Sequence, residues 1–277
     1  MFADGLLAGK RILITGGGTG LGAAMAERFA GLGASLVLCG RREEVLRETG
    51  ERIAAATGAR VDAIRCDIRD PADVDALFDA AWAGGPVDSL VNNAGAIFVA
   101  RSEHLSHRAF DAVLATSLHG SIYCTLAAGK RWIAAGRPGS VLSILSTAAI
   151  TGRGFTVPTV VSKTGVLAMT KSLAVEWASK RIRLVAIAPG TIPTAGFMAK
   201  VAAGREGEPE APGDNTLERP GRPDELADLA TYLLSPAADY INGEMVVLDG
   251  GRHLRNSGVE DLLKRSDAEW EAQRARR

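Results

Sequence analysis

Short apolar runs alternate with longer amphipathic segments along most of the chain. The runs are rich in Val, Ile and Leu, and most of their positions are apolar on both sides of an extended chain. Strands have this pattern when helices cover both faces of their sheet. The predicted strands are Arg11–Thr15, Ser35–Cys39, Val61–Arg65, Val87–Val91, Ser140–Leu145, Arg183–Ala188 and Glu244–Leu248.

The segments between these strands predict helices. Pro71 and Pro223 stand where a helix accepts proline, in its first turn. Alternation of strand and helix through seven strands predicts an α/β fold, in which one doubly wound domain carries helices on both faces of a seven-stranded parallel sheet. The predicted helices are Leu21–Leu32, Glu43–Thr57, Pro71–Ala83, Arg108–Ala135, Thr156–Lys180 and Pro223–Leu234.

Two segments depart from this alternation. Val201–Pro223 is rich in Gly, Pro and acidic residues and predicts a long loop, either a lid or a disordered segment. We assign it to a candidate substrate loop over residues 191–223. Arg252–Arg277 is charged, has Trp270 as its one large aromatic side chain, and predicts a solvated terminal helix. The chain is therefore expected to contain one domain over residues 1–251 and a charged tail over residues 252–277.

Charge and polarity narrow the possible partners. The 277 residues include 32 basic and 32 acidic side chains, which gives a formal net charge of zero. Nucleic acids and anionic membranes select proteins with a basic surplus or patch. Ala112–Gly129 is the longest uncharged stretch, but its His, Ser and Thr residues favour a buried helix over a membrane span. We expect neither a nucleic-acid nor a membrane partner.

The cysteines and the first ten residues indicate in which cellular compartment the protein is expected. Cys39, Cys66 and Cys124 are odd in number and have no CxxC spacing, which argues against a disulfide framework and against structural zinc. They predict buried free thiols in a reducing compartment. Met1–Lys10 is too short and too polar for a signal peptide. We expect a cytoplasmic protein without a metal.

A glycine-rich turn, Thr15–Gly22 (TGGGTGLG), joins the first strand to the first helix. Glycine lets the backbone turn sharply and approach a pyrophosphate without an intervening Cβ, as in a Rossmann-like domain. The first turn of the helix then offers unpaired N–H groups to the phosphate. The predicted dinucleotide contacts here are Thr15, Gly16, Gly18, Thr19, Gly20, Leu21 and Gly22.

The end of the second strand bears on the choice of coenzyme. NAD-binding proteins usually carry an acidic residue there to bind the ribose hydroxyls, but this chain has Gly40 followed by Arg41 and Arg42. Guanidinium groups suit the extra 2′-phosphate of NADP(H). We therefore favour NADP(H) over NAD(H); the alternative is that the two arginines only begin a solvated helix.

Four motifs together resemble those of the short-chain dehydrogenase/reductase superfamily. They are TGGGTGLG at Thr15–Gly22, Cys66-Asp67-Ile68, Asn92-Asn93-Ala94-Gly95 and Pro189-Gly190-Thr191, and the likeness extends from Lys10 to Gly251. It implies a homotetramer formed through the long fourth and fifth helices. It also implies that Asp67 and Ile68 hold the adenine, that Asn93, Ala94 and Gly95 support the ribose region, and that Pro189, Gly190, Thr191 and Ile192 reach the nicotinamide end.

The superfamily's catalytic set is a Ser, a Tyr and Lys four residues apart, and an Asn on the fourth helix. In this chain the lysine is Lys163, Ser146 stands at the serine position, and Ser117 stands at the Asn position. Thr159 replaces the tyrosine. The tyrosines of the chain, Tyr123, Tyr232 and Tyr240, all lie outside the catalytic segment. Ordinary carbonyl reduction driven by a Lys-paired phenol is therefore not expected.

A narrower likeness is to the 2,4-dienoyl-CoA reductases of the mitochondrial type. It is carried by Leu142–Ile144, Thr151–Phe155, Val157–Thr159, Lys163, Ser172–Trp177, Ile241–Gly243 and, in the tail, Ser257-Gly258, Asp261-Leu262, Lys264 and Trp270. That group also lacks the usual Tyr and has a small hydroxyl residue four before the Lys. The resemblance implies Ser146, Thr159 and Lys163 as catalytic residues.

Two positions depart from that group's pattern. Ile97 and Ala148 stand where the group binds the thioester carbonyl with an Asn and a Tyr, and neither side chain can donate a hydrogen bond. With Phe155 they predict an apolar substrate pocket. His119 is a further candidate on the substrate side, although an ordinary helix histidine explains it as well.

Three functions remain open from the sequence. The first is an NADP(H)-dependent oxidoreductase that transfers hydride to a conjugated C=C bond of a small-molecule acyl thioester, with 2,4-dienoyl-CoA or enoyl-CoA as the model substrate. The second is an alcohol or carbonyl oxidoreductase with Ser146 and Lys163 in a relayed proton path. The third is a catalytically silent NADP(H)-binding protein. Substrate contacts are expected at Ile97, Ala148, Phe155 and His119.

Overall fold

The computed structural model describes residues 2–196, 215–255 and 265–275. Its strands form one parallel sheet in the order β3-β2-β1-β4-β5-β6-β7. This confirms the predicted doubly wound α/β fold. The strands are β1 (Arg11–Thr15), β2 (Ser35–Gly40), β3 (Val61–Arg65), β4 (Ser89–Asn92), β5 (Gly139–Ile144), β6 (Ile182–Pro189) and β7 (Met245–Leu248).

Helices cover both faces of the sheet. Among the described residues they are α1 (Gly20–Gly31), α2 (Glu43–Thr57), α3 (Pro71–Ala83), α4 (His107–Leu114), α5 (Gly120–Ala134), α6 (Ala148–Thr151), α7 (Val157–Glu176), α8 (Pro223–Leu234) and α9 (Asp267–Ala275). Helices α2, α3 and α8 have the predicted bounds. Asp70 caps α3 by accepting from the Ala72 N–H, and Pro71 follows at the first helical position.

One predicted helix is not continuous. The pattern predicts Arg108–Ala135 as a single helix, but a π turn over Ala115–His119 separates α4 from α5. Such a turn inserts one residue into the helical repeat, and π turns are frequent at functional sites. The apolar periodicity continues on both sides of the insertion, which is why the sequence pattern does not reveal it.

The core is divided by the sheet. On β1, Ile12 and Ile14 pack towards α1 and α8, whereas Leu13 packs towards α3 and α5, and all three are fully buried. Burial of a large apolar side chain stabilises a fold by about 1.5–3 kcal/mol relative to its exposure. Residues on both faces of the central strands are therefore fixed by packing, which holds the carboxyl edge of the sheet in place.

The predicted buried helix and the tail can be located. Within Ala112–Gly129 the buried Cys124 and Ala128 belong to the core on the α5 side. Of the helices in the described parts of the chain, none has the length and apolarity to cross a membrane.

Helix α9 lies in the tail, where the Arg265 guanidinium is 5.5 Å from the centre of the Trp270 ring. Residues 197–214, most of the predicted loop, are outside the described residues.

Candidate active site

A cleft of about 970 Å³ lies along the carboxyl edge of the sheet. In doubly wound sheets this edge, where the strand order reverses, is where ligands bind. The reversal here lies between β1 and β4. Of the residues predicted from the sequence, the cleft is lined by Gly16, Gly18, Thr19, Gly20, Leu21, Arg41, Arg42, Asp67, Ile68, Asn93, Ala94, Gly95, Ile97, Ser146, Ala148, Thr159, Lys163, Pro189, Gly190, Thr191 and Ile192.

The turn after β1 depends on glycine at two positions. Gly16 has φ +66°, in the left-handed region that favours glycine. At Gly22, which lies behind the cleft and not on its lining, a Cβ would come within 2.3 Å of the Gly16 carbonyl oxygen. Helix α1 can begin so close to the turn only because Gly22 has no side chain.

Thr15 and Asn93 hold this turn from beneath. Thr15 is 1% exposed, and its Oγ1 accepts the N–H groups of Asn93 and Ala94, both at 3.0 Å. Asn93 Nδ2 donates to the backbone carbonyl oxygens of Thr15, at 2.9 Å, and of Gly16, at 3.2 Å. The expected cofactor contact at Thr15 is therefore replaced by a supporting role, because the side chain points into the fold.

The start of α1 fits an anion. Thr19 is the N-cap residue, but its side chain makes no capping hydrogen bond, and the first turn contains no acidic residue. The N–H groups of that turn and the positive end of the helix dipole therefore face the cleft without a carboxylate in front of them. Together with the Cβ-free turn, these donors fit the pyrophosphate of a nicotinamide dinucleotide.

The far end of the cleft, beyond β2 and β3, holds the residues predicted for the adenosine. Arg41 and Arg42 both line it, and both are exposed. Asp67 accepts from the Arg69 guanidinium, with a shortest N–O distance of 2.5 Å. This hydrogen bond lowers the pKa of Asp67, and burial, which acts in the opposite direction, has a smaller effect. The carboxylate is therefore held ionised against Arg69.

Lys163 lies in the opposite half of the cleft, next to the end of β5. Its Nζ donates to the Ile144 oxygen at 2.6 Å, and burial lowers the pKa of Lys163 to about 8. Thr159 is one helical turn earlier on α7, so both side chains face the same cleft. Thr159 Oγ1 lies 3.5 Å from the Ala96 oxygen.

The π turn positions Ser117 behind these groups. Ser117 is fully buried, and its Oγ accepts the Ala96 N–H at 2.9 Å. A Cβ built on Gly95 would lie 3.5 Å from Lys163 Nζ and 3.6 Å from Ser117 Oγ. The backbone after β4 is thus close to both the lysine amine and the Ser117 hydroxyl.

The remaining catalytic candidate is at the end of β5. Ser146 lines the cleft, and its Oγ accepts the Ala148 N–H at 3.3 Å. Ser146 and Thr159 therefore present hydroxyl groups to the cleft that holds Lys163. Ile97 and Ala148 line the same cleft and contribute no side-chain hydrogen-bond donor.

Two predicted substrate residues, His119 and Phe155, are exposed and are not part of the cleft lining. His119 is exposed on the π turn, with its ring 6.1 Å from that of Tyr123, and does not line the cleft. Phe155 is 60% exposed, and its backbone has φ +63°. Its carbonyl oxygen accepts the Ala100 N–H at 2.9 Å, so Phe155 connects the loop after β4 to the start of α7.

Two basic residues of the cleft were missed by the sequence reasoning. Arg153 and Arg252 both line it. Arg252 Nη1 lies 3.4 Å from Thr191 Oγ1. The available signal was positional, since both arginines follow the carboxyl ends of predicted strands, where ligands bind in such folds.

Comparisons with known proteins agree with this fold. Residues 16–253 match the family model described as enoyl-(acyl carrier protein) reductase. The chain is 40% identical to a probable 2,4-dienoyl-CoA reductase 3, (3E)-enoyl-CoA-producing, of Caenorhabditis elegans, over 92% of this chain and 84% of that protein. It is 38% identical to a probable 2,4-dienoyl-CoA reductase, (2E)-enoyl-CoA-producing, of Bacillus subtilis (strain 168), over 88% of this chain and 97% of that protein.

A solved structure extends the likeness to three dimensions. The crystal structure of a short chain dehydrogenase from Bacillus anthracis matches with a TM-score of 0.80 and 37% identity, over 90% of this chain and 98% of that one. At this identity and coverage the likeness concerns the family as well as the fold. The chain therefore belongs to the short-chain dehydrogenase/reductase family.

Proposed function

We propose that this protein is an NADP(H)-dependent reductase of a conjugated C=C bond in an acyl thioester. Its family is one of oxidoreductases that use nicotinamide cofactors. When bound, NADPH supplies the hydride. The chain's own residues would hold the cofactor, exclude water and stabilise the charge that develops on the substrate.

The coenzyme preference is argued from the end of β2. Gly40 offers no carboxylate to the ribose hydroxyls, and Arg41 and Arg42 line the cleft directly after it. Charge-assisted hydrogen bonds from guanidinium groups are stronger than neutral ones and match phosphate geometry. These features support NADP(H) over NAD(H).

The reaction type is argued from the residues around Lys163. Reduction of a ketone leaves an alkoxide that needs an acid of suitable pKa, and a threonine hydroxyl is a far weaker acid than a phenol beside a lysine. Hydride addition to a conjugated thioester places the negative charge on an enolate oxygen instead. That oxygen needs hydrogen-bond donors, and the carbon is protonated separately. Ser146 and Thr159 are the hydroxyl donors that we assign to the enolate oxygen.

Lys163 has a different role in this proposal. Its amine donates to the Ile144 carbonyl oxygen and lies close to Gly95, and Lys163 lines the cleft. From there its positive charge would hold the nicotinamide ribose and make the hydroxyls of Ser146 and Thr159 stronger hydrogen-bond donors. Ile97 and Ala148 supply apolar surface for the acyl chain and leave oxygen binding to the hydroxyls.

The observation that carries the proposal is the Thr159–Lys163 pair on α7, with a hydroxyl in place of a phenol and both residues lining the cleft. Relatives with 38–40% identity whose names give dienoyl-CoA reductases support the substrate class. The homotetramer and the cytoplasmic location stay predictions from the sequence. Sedimentation velocity would test the first, and cell fractionation the second.

A substrate panel tests the function. The purified protein should consume NADPH with 2,4-dienoyl- or 2-enoyl-CoA and should be slower with NADH and with 3-oxoacyl-CoA. Preferred reduction of the 3-oxoacyl thioester would replace the proposal with carbonyl reduction. Tight NADPH binding without turnover of any thioester would favour a silent binding protein.

A further inference from the structure

The turn after β7, formed by residues 249–253, is built on a buried carboxylate. The side chain of Asp249 is 2% exposed. Its Oδ1 accepts the Gly251 N–H at 2.9 Å, and its Oδ2 accepts the His253 N–H at 2.7 Å. His253 Nδ1 lies 2.9 Å from the same Oδ2. A carboxylate accepts hydrogen bonds, so the hydrogen of this contact is assigned to Nδ1.

This turn lies close against Thr216. Gly250 and Gly251 have φ +60° and +77°, in the left-handed region that favours glycine. The Gly250 carbonyl oxygen accepts the Thr216 N–H at 2.9 Å and the Thr216 hydroxyl at 2.7 Å. A Cβ built on Gly251 would come within 2.5 Å of Thr216 Oγ1. Two hydrogen bonds and a close approach therefore connect the turn to Thr216.

The same turn contacts the end of β6. Arg252 lines the cleft, and its Nη1 donates to Thr191 Oγ1 at 3.4 Å. The Thr191 carbonyl oxygen accepts the Gly221 N–H at 3.0 Å. At Gly190 a Cβ would come within 2.7 Å of the Asp249 Cβ, so the residue that carries the carboxylate packs directly against the end of β6. Thr191 is therefore contacted at its side chain by the turn after β7 and at its backbone by Gly221.

Thr191 lies in the part of the cleft where the proposed function requires the nicotinamide half of the coenzyme. The start of α1 would bind the pyrophosphate, and the arginines after β2 would bind the 2′-phosphate. The rest of the dinucleotide then extends along the edge of the sheet in the other direction, over β4, β5 and β6. Thr191 and Ile192 line the cleft there, whereas Asp249 and His253 do not. These two residues can therefore act on the coenzyme only through the residues that they hold.

We infer that the Asp249–His253 pair positions Thr191 for the nicotinamide half of the coenzyme, with Arg252 as the connection. The carboxylate fixes the turn, the turn carries Arg252, and the guanidinium occupies a lone pair of the Thr191 hydroxyl oxygen. The hydroxyl then keeps its own hydrogen for an acceptor in the cleft. A side chain that is fixed before binding loses less freedom on binding, which increases affinity. This inference rests on the coenzyme binding of the proposed function and is independent of its substrate and reaction type.

A double-variant cycle tests whether His253 acts through Thr191. His253→Phe keeps a planar ring but loses the Nδ1 donor, whereas His253→Asn keeps a side-chain N–H donor. Thr191→Val removes the hydroxyl and keeps a branched side chain. Arg252→Met removes the guanidinium and leaves the Asp249–His253 contacts in place, and His104→Phe changes an exposed histidine outside the cleft as the control. Calorimetry measures the Kd for NADPH and for adenosine 2′,5′-bisphosphate, a fragment without nicotinamide.

The expected result is a loss confined to the whole coenzyme. His253→Phe, Arg252→Met and Thr191→Val should each raise the Kd for NADPH about threefold to tenfold, the range for one hydrogen bond. In the double variant of His253→Phe and Thr191→Val, the Kd should equal that of Thr191→Val alone, because both changes remove the same contact. His253→Asn should stay within about twofold of the wild type. The Kd for the fragment should not change, and His104→Phe should behave as the wild type.

Three outcomes would overturn the positioning role. Losses that multiply in the double variant would mean that His253 and Thr191 act separately. Equal losses for NADPH and the fragment would mean that His253 only stabilises the fold. An unchanged Kd for NADPH in His253→Phe or in Arg252→Met would mean that the turn does not act on the coenzyme. If the Tm of His253→Phe shows that it does not fold, the cycle of Arg252→Met with Thr191→Val decides by the same criteria.

These binding measurements are separate from the thioester panel. A wild type that binds NADPH but reduces no thioester would refute the proposed reaction, and the cycle would still decide the positioning role. A wild type that prefers NADH is tested with NADH and with adenosine 5′-diphosphate as the fragment. Binding of neither coenzyme to the wild type would refute the positioning role together with the coenzyme assignment.

Discussion

In the half of the cleft above β1 and β4, the ligand would meet mostly backbone, whereas the half above β5 to β7 is made of side chains. The turn at Gly16 and the start of α1 present N–H groups, and Thr15 and Asn93 support that backbone from below. In the other half, Lys163, Thr159 and Ala148 line the cleft with their own functional groups or apolar surface.

This difference separates what the fold requires from what the reaction requires. A side chain added at Gly22 would collide with the Gly16 carbonyl oxygen at 2.3 Å, so the backbone half tolerates few residue types. At Thr159 the tyrosine of the wider superfamily is replaced by a threonine without loss of α7. In the proposed function, the backbone half would therefore bind the coenzyme, and the side-chain half would determine the reaction.

The largest expected effect is on Lys163, in the side-chain half. Lys163→Ala removes the cation one helical turn from Thr159 on α7, and loss of such an electrostatic contact typically costs about 10²–10³ in rate. We expect kcat with NADPH and an enoyl or dienoyl thioester to fall by that order. Lys171→Ala, an exposed lysine of the same helix, is the matched control. Unchanged turnover of Lys163→Ala would remove Lys163 from the mechanism.

Arg41, which follows β2, tests whether a side chain outside the backbone half selects the coenzyme. Arg41→Gln should raise the KM for NADPH about 10–100-fold, since a charged hydrogen bond contributes about 1.5–3 kcal/mol, and should leave the KM for NADH nearly unchanged. Steady-state kinetics with both coenzymes measure the ratio. Arg47→Gln is the control on the same helix. A parallel rise for both coenzymes would mean that Arg41 does not read the 2′-phosphate.

The same division explains which parts of the molecule the sequence predicts. Strands β1 and β3 and helices α2, α3 and α8 have the predicted bounds, because apolar periodicity and capping residues are local signals. The turn at Gly16 is also local, since its residues adjoin in the chain. The π turn, and the hydrogen bond that joins Ser117 to Ala96, depend on packing between distant segments. No local pattern specifies such packing.

On the substrate side of the cleft, the sequence also does not predict which distant residues come together. His119 lies two residues after Ser117 on the same π turn, yet Ser117 is buried and His119 is exposed, with its ring 6.1 Å from that of Tyr123. Arg252 lies far from Thr191 in sequence, yet their side chains meet at 3.4 Å. Spacing along the chain predicts contacts within one helix or turn. It does not predict which residues of different loops share a cleft.

Two glycines of α1 allow a matched test of the backbone half. Gly22→Ala should lower the free energy of unfolding by about 1–3 kcal/mol and raise the Kd for NADPH, because the added methyl must displace the turn. At Gly31 a Cβ would meet nothing within 4 Å. Gly31→Ala should therefore leave the Kd unchanged and stabilise by about 0.4–1 kcal/mol. Urea unfolding and fluorescence titration measure both quantities. Equal behaviour of the two variants would contradict the tight approach at Gly22.

The smallest expected effect is a pH dependence of stability at Lys163. Its pKa falls from 10.5 to about 8 on folding, because burial disfavours the ammonium. Below about pH 8 both states are protonated and the folded state bears the full penalty. Between about pH 8 and 10.5 the unfolded chain binds the extra proton, so the free energy of unfolding rises with pH through this window.

Lys163→Met isolates this contribution from the other titrating groups. The variant loses the bond to the Ile144 oxygen at every pH, which shifts its stability by a constant. The difference in free energy of unfolding between wild type and variant should therefore change by about 1–3 kcal/mol in favour of the wild type as pH rises through the window, at no more than about 1.4 kcal/mol for each pH unit. Urea unfolding at several pH values measures it, with Lys171→Met as the exposed control. A difference that stays flat with pH would show that Lys163 is as solvated in the folded protein as in the unfolded chain, and that the side-chain half of the cleft is open to water.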